Sequence, residues 1–235
     1  FFIFPRYVKQ RRNILLTSAQ WTAVWDGTLI TLEITAFAIV VGCLLGVVLA
    51  LGRLSKHRIL RALSWFYIWF FRGSPLLLQL FMVYYAIPII YLESTGSQLN
   101  IDPMVCAFIT FSLNTTAYLA EIIRAGIESI PGGQMEAAKA IGMTYGQAMR
   151  KIIIPQTYKR LIAPVGNELV MLLKDTSLVS SIALSDLLRT TKTMANASGN
   201  WLYYLYAAAI YLFLTTLLQL GTDRLELKLG AYEKR

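Results

Sequence analysis

Five apolar stretches, each near the ~20 residues needed to cross a bilayer as a helix, dominate this 235-residue chain. They run from about Thr28 to Gly52, Ala62 to Ile90, Pro103 to Ile123, Leu161 to Leu184 and Trp201 to Gly221. A chain so divided folds as an all-α membrane protein with five transmembrane helices. Its charged residues, 15% of the total, fall well below the roughly 25% usual in soluble domains. The net charge of +9 therefore reads as loop charge that sets membrane orientation rather than as a nucleic-acid footprint. Cys43 and Cys106 both lie within apolar runs and read as small packing residues, without redox chemistry.

Two of the five stretches depart from a plain span. Arg72-Gly73-Ser74-Pro75 interrupts the second. Proline has no backbone N–H and clashes with the preceding turn, so a bend or break is expected there. The fourth holds Asn167, Glu168, Lys174, Asp175 and Ser177 and is polar enough to escape a hydropathy window.

Lysine and arginine set the orientation. Fourteen of them, from Arg53, Lys56, Arg58 and Arg61 through Arg124–Arg160 to Arg224, Lys228, Lys234 and Arg235, fall on one side of a five-helix arrangement. The segment from Tyr91 to Asp102 has none, and the loop near Arg189 and Lys192 has two. The first side is expected to be cytoplasmic, with helix one starting outside and the C-terminal tail (223–235) inside. Residues 1–27 carry a discordant basic cluster, Arg6, Lys9, Arg11 and Arg12. These belong either to an interfacial segment or to the continuation of an upstream element. The chain opens at Phe1 without Met, so upstream material is expected to be missing, and no signal-peptide pattern is visible.

The connection between the third and fourth stretches, about 126–160, carries the most specific pattern. Pro131-Gly132-Gly133 breaks the chain, Met135 to Ile141 are good helix formers, and Gly142 permits a left-handed stop. A second short helix follows, with Ala148, Met149, Ile152 and Ile153 on one side. Periodicity alone makes this an amphipathic connector lying beneath the membrane.

The residues say more. Glu136-Ala137-Ala138, then Gly142, then Ile152, Ile154 and Pro155 resemble, with spacing intact, the signature loop of permease subunits of ATP-binding-cassette (ABC) importers. Ile154 stands where Leu is usual. Phe71-Arg72-Gly73-Ser74-Pro75-Leu76-Leu77-Leu78-Gln79 resembles a segment of the polar amino-acid branch, the histidine, glutamine and arginine permeases, with Ser74 in place of Thr. Asn114 to Gly126 and Lys174-Asp175-Thr176-Ser177-Leu178 are similar to the same branch. The resemblance spans roughly residues 25–230.

It implies the type I importer fold, with five core helices over about 28–222, acting as a dimer in a bacterial inner (cytoplasmic) membrane. It also implies three protein partners: an ABC ATPase subunit, a second permease that is identical or homologous, and an extracytoplasmic substrate-binding protein. The cargo would be a polar or charged amino acid. Glu136, Ala137, Ala138 and Gly142 would couple to the ATPase. The chain has no Gly-x4-Gly-Lys-Ser/Thr phosphate loop, so ATP and Mg2+ are expected on that partner and no cofactor on this chain.

Charged groups within a bilayer are costly and usually face a cavity or a partner. Glu168 and Asp175 are two helical turns apart and share a face with Met171, and Lys174 sits nearby. Asn114, Tyr118 and Glu121 share a face of the third helix. Spacing alone favours internal pairing, with Lys174 neutralising one acid and Asn and Thr joining helices. The resemblance favours a substrate cavity drawn from Gln79, Asn114, Tyr118, Glu168, Met171, Lys174 and Asp175. Glu121 and Arg124 fit an ion pair near the cytoplasmic end, and Glu33 fits a solvated position near the outer end of helix one. No catalytic constellation and no metal site is expected. A stand-alone channel or secondary transporter is the alternative, and a membrane enzyme or structural subunit a third. The alternative leaves the Glu136-to-Pro155 pattern unexplained, and the missing active-site constellation counts against the enzyme form of the third.

Overall fold

The computed structural model describes residues 16–230. The basic cluster at Arg6, Lys9, Arg11 and Arg12, and the terminal Lys234 and Arg235, lie outside the described residues. Among those described, every regular element is helical. In chain order the α-helices are α1 (Ser18–Leu54), α2 (Arg58–Gly73), α3 (Leu76–Phe81), α4 (Ile87–Thr95), α5 (Pro103–Glu128), α6 (Gly132–Ala140), α7 (Tyr145–Ala148), α8 (Ile154–Asp175), α9 (Leu187–Ser198) and α10 (Leu202–Gly230).

Four described helical stretches are long and apolar enough to cross a membrane: Ser18–Leu54, Leu76–Thr95, Pro103–Glu128 and Leu202–Leu229. The polar fourth stretch, α8 and the tight 3-10 turn of Thr176–Ile182, is not among them, as its charges led us to expect. Its apolar residues still face the bundle: Leu172, Leu173, Val179 and Ile182 are all buried.

The core is the α1–α5 contact. Ala38, Gly42, Gly46 and Ala50 recur every fourth residue on α1, and all are buried. A Cβ on Gly42 would stand 2.7 Å from Thr115 Cγ2, and one on Gly46 would stand 3.1 Å from Leu119 Cβ. Where lipid removes the hydrophobic drive for helix association, such small-residue seams gain their attraction from close backbone approach. Ile34, Leu80, Phe111, Val179 and Ile182 fill the space around one end of this seam.

α1 starts about ten residues earlier than the apolar run marks, so residues 18–27 are continuous with the first helix. A reciprocal cap between Thr17 and Gln20 closes the helix start. Tertiary packing extends it, since Leu16 and Val24 bury against Leu187, Ala195, Tyr203 and Ala207. Glu33, exposed, therefore lies well inside a 37-residue helix of about 55 Å, not near its outer end. The loop expected near Arg189 and Lys192 holds α9, whose start is capped by the buried Asp186. Its carboxylate accepts from the Leu188 and Arg189 N–H groups.

Prolines shape the rest. α2 ends at Gly73 and α3 begins after Pro75, so the expected break is present. Two widened, π-type turns, Met82–Ala86 and Met149–Ile153, each directly precede a helix with proline in its first turn, Pro88 and Pro155. A proline ring clashes with the carbonyl four residues back, and widening that turn makes room for it.

Candidate functional site

The α2–α3 break exposes backbone carbonyls that a membrane cannot solvate. Two side chains satisfy them. Gln79 Nε2 donates to the carbonyl oxygens of Phe71 (2.9 Å) and Ser74 (3.1 Å) and to Ser74 Oγ (2.9 Å). Asn114 Nδ2 donates to the Phe71 carbonyl and to Gln79 Oε1, both at 3.1 Å. Gln79 and Asn114 are both buried, so the break is braced into a fixed shape from α5. Tyr67 adds a further tie, its hydroxyl donating to the Leu113 carbonyl at 2.8 Å.

Against this brace opens a cavity of about 330 Å³, lined by Arg72–Leu76, by Asn114 and Tyr118 of α5, and by Glu168, Met171 and Asp175 of α8. The three α8 residues fall on one face, as their spacing predicts. Five of the seven residues expected at a substrate cavity thus come together: Asn114, Tyr118, Glu168, Met171 and Asp175. Gln79 sits behind the wall as part of the brace. Lys174 is exposed and does not line the cavity. No ion pair joins it to Glu168 or Asp175 among the described residues, whereas Arg124 pairs with Glu121 and Glu128.

The cation that does face the carboxylates is Arg72, which sequence reasoning left out of the site. Its guanidinium lies 5.3 Å from the centre of the Tyr118 ring, a cation–π distance. Its signal was present in the sequence, because a charged residue beside a helix break at membrane depth is aimed by that break.

A second cavity of about 410 Å³ adjoins the first and shares Arg72, Gly73 and Tyr118 with it. It extends towards Arg53, at the end of α1 that carries the basic turn, and is walled by Trp65, Ile68 and Trp69 of α2 and Glu121 of α5. The expected Glu121–Arg124 pair is formed, with Arg124 Nε donating to Glu121 Oε2 at 3.0 Å.

The connection between α5 and α8 is a helix, a turn and a helix, as its residues predict. Gly142 sits at φ +84°, where an L side chain is strained. The Met143 N–H bonds the Ala138 carbonyl at 3.0 Å. Thr144 then starts α7 with a reciprocal cap to Gln147. Ala148 and Ile153 are buried and Met149 and Ile152 half-buried, which is the apolar side expected of this segment. Glu136, Ala137 and Gly142 are exposed, but Ala138 is buried and faces the chain's own packing. The side chains that project are Ile141, 76% exposed, and Tyr145, 64% exposed. Spacing alone does not single these two out.

Residues 42–230 match the protein family described as the inner membrane component of binding-protein-dependent transport systems. The chain belongs to that family. This permease is 36% identical over 220 residues to the L-cystine transport system permease protein TcyB of Bacillus subtilis (strain 168), covering 93% of this chain and 91% of that protein. It is 38% identical over 202 residues to the arginine transport system permease protein ArtQ of the same organism, covering 86% and 90%. Its fold superposes on a chain of the crystal structure of an amino acid ABC transporter with histidines, with a TM-score of 0.81 and 33% identity, covering 89% of this chain and 96% of that one. A chain of the inward-facing MetNI methionine ABC transporter matches at a TM-score of 0.69 and 18% identity, a likeness of fold. The permease is thus a multi-pass inner-membrane protein with the type I importer fold.

Proposed function

We propose that this permease forms the pathway for an amino acid, passing through the cavity between the α2–α3 break and α8. One observation carries the reading: two carboxylates, Glu168 and Asp175, and one guanidinium, Arg72, face a common space of about 330 Å³. A zwitterion leaving water loses hydration at both charged ends and needs partners of both signs. The carboxylates suit its ammonium group, or a cationic side chain, and Arg72 suits its carboxylate. The names of the relatives, which carry cystine or arginine, support the same class of cargo.

In this reading the basic side is cytoplasmic, and ATP is hydrolysed on a separate ABC subunit that docks on α6 and α7. Ile141 and Tyr145 are apolar, exposed and held at a fixed angle by Gly142, which suits them to insertion in a cleft. A second permease closes the open side of the cavity, and a substrate-binding protein delivers cargo from outside. The test is reconstitution of the permease with its ATPase and binding protein in liposomes, measuring amino-acid uptake and ATP hydrolysis together. We expect uptake that requires all the components. Ile141→Asp should leave the permease inserted while cargo-stimulated hydrolysis falls to the basal rate. Uptake by the permease alone would sink the reading in favour of a stand-alone carrier.

A further inference from the structure

The second cavity has a charge balance unlike the first. Its one carboxylate, Glu121, is already held by Arg124. Its two other ionic groups are the arginines Arg53 and Arg72, which act on Glu121 only through space and form no ion pair with it among the described residues. Arg53 Nε is buried and makes no hydrogen bond. The Arg72 side chain makes no hydrogen bond or ion pair among the described residues and lies over the face of Tyr118. The Arg53 Nε–H, shielded from water and left without an acceptor, is unfavourable, whereas Arg72 is exposed to the open space; the planar fork of donors on each matches a carboxylate. Around these cations stand Trp65 and Trp69, stacked with ring centres 5.9 Å apart. The volume, about 410 Å³, lies within the range of roughly 300–1,000 Å³ typical of small-molecule sites.

We propose that this cavity is a second, release-side station for the cargo, taking its carboxylate on Arg53 and Arg72 and its apolar part against Trp65 and Trp69. The proposal rests on the reading of the first cavity as the cargo site and adds a site beyond it. Arg72 and Tyr118 line both spaces, so the carboxylate stays on Arg72 while the ammonium end leaves Glu168 and Asp175. The first cavity holds an excess of negative charge and the second an excess of positive charge. Cargo is thus held at both ends in the first station and by its carboxylate in the second, and cargo accumulated on the release side occupies the second station and slows turnover.

The experiment uses the complete importer in liposomes of zwitterionic lipid, with the release side facing the lumen. Initial uptake is measured as the lumen is loaded with cargo or with its carboxamide analogue. We expect luminal cargo to inhibit the wild type saturably, and the carboxamide to inhibit about tenfold more weakly, as loss of a charge-assisted contact implies. Arg53→Gln and Trp69→Leu, on different helices, should each raise the luminal concentration for half-inhibition about tenfold, with the KM for uptake unchanged. Half-inhibition unaltered in both variants, or equal inhibition by the carboxamide, overturns the station. So does inhibition that follows the fraction of anionic lipid added to the vesicles and ignores luminal cargo, which assigns the arginines to headgroup phosphates. Absence of amino-acid uptake by the wild type overturns both readings, whereas normal uptake with no luminal inhibition overturns the second station alone.

Discussion

Along α1, Ala38, Gly42, Gly46 and Ala50 recur every fourth residue and are all buried, whereas along α8 Glu168 and Asp175 recur after two turns and line open space. The two helices answer the same solvent in opposite ways. α1 strips its seam of side chains so that α5 approaches within van der Waals contact, which makes the pair a rigid reference. α8 keeps its charged face away from that seam and packs through Thr157, Gly166, Leu172 and Leu173. The difference shows how stability and transport are divided: substitutions on the seam should act on folding, and substitutions on the α8 face should act on cargo.

The most damaging test of this division is Gly42→Leu. Its Cβ alone would meet Thr115 Cγ2 at 2.7 Å, and overpacking a tight seam costs about 1–3 kcal/mol or more. We expect the largest fall in thermal stability in detergent, with partial recovery in Gly42→Ala combined with Thr115→Ala. Uptake per folded molecule should stay near wild type.

Next come Glu168→Gln and Asp175→Asn. Each removes a charge-assisted contact of roughly 1.5–3 kcal/mol, so uptake at low cargo concentration should drop about ten- to a hundredfold, with unchanged melting temperature and basal ATP hydrolysis. A fall in melting temperature instead, restored by also neutralising Lys174, would reassign these carboxylates to internal pairing and erase the contrast with α1.

Gln79 lies between the two classes, because it braces the cavity without lining it. Gln79→Met leaves the Ser74 carbonyl and Asn114 short of partners, each unsatisfied group costing about 1–3 kcal/mol. Stability and uptake should therefore fall together, with a smaller loss of stability than in Gly42→Leu. Lys174→Met should have the smallest effect. The side chain is exposed and outside the cavity, so uptake and melting temperature are expected to stay within about twofold and one degree of wild type, as for surface substitutions generally.

The sequence by itself determined the helical membrane class, the break at Pro75, the left-handed stop at Gly142 and the shared face of Glu168, Met171 and Asp175. All of these follow from local rules: run length against bilayer thickness, the missing proline N–H, the absence of a Cβ, and helical period. Tertiary structure alone decided which polar groups satisfy the backbone and which remain for a ligand. Gln79 and Lys174 looked as eligible as Asn114 or Asp175, since periodicity places a residue on a face without saying what lies opposite. The brace from α5 to the Phe71 and Ser74 carbonyls claimed Gln79, and the rotation of α8 against α5 and α10 turned Lys174 away. The same long-range packing extended α1 back to Ser18, folded α9 onto it, buried Ala138 and brought Arg72 over Tyr118. Such contacts join residues tens of positions apart in the chain, and their energies depend on orientations that no local window contains.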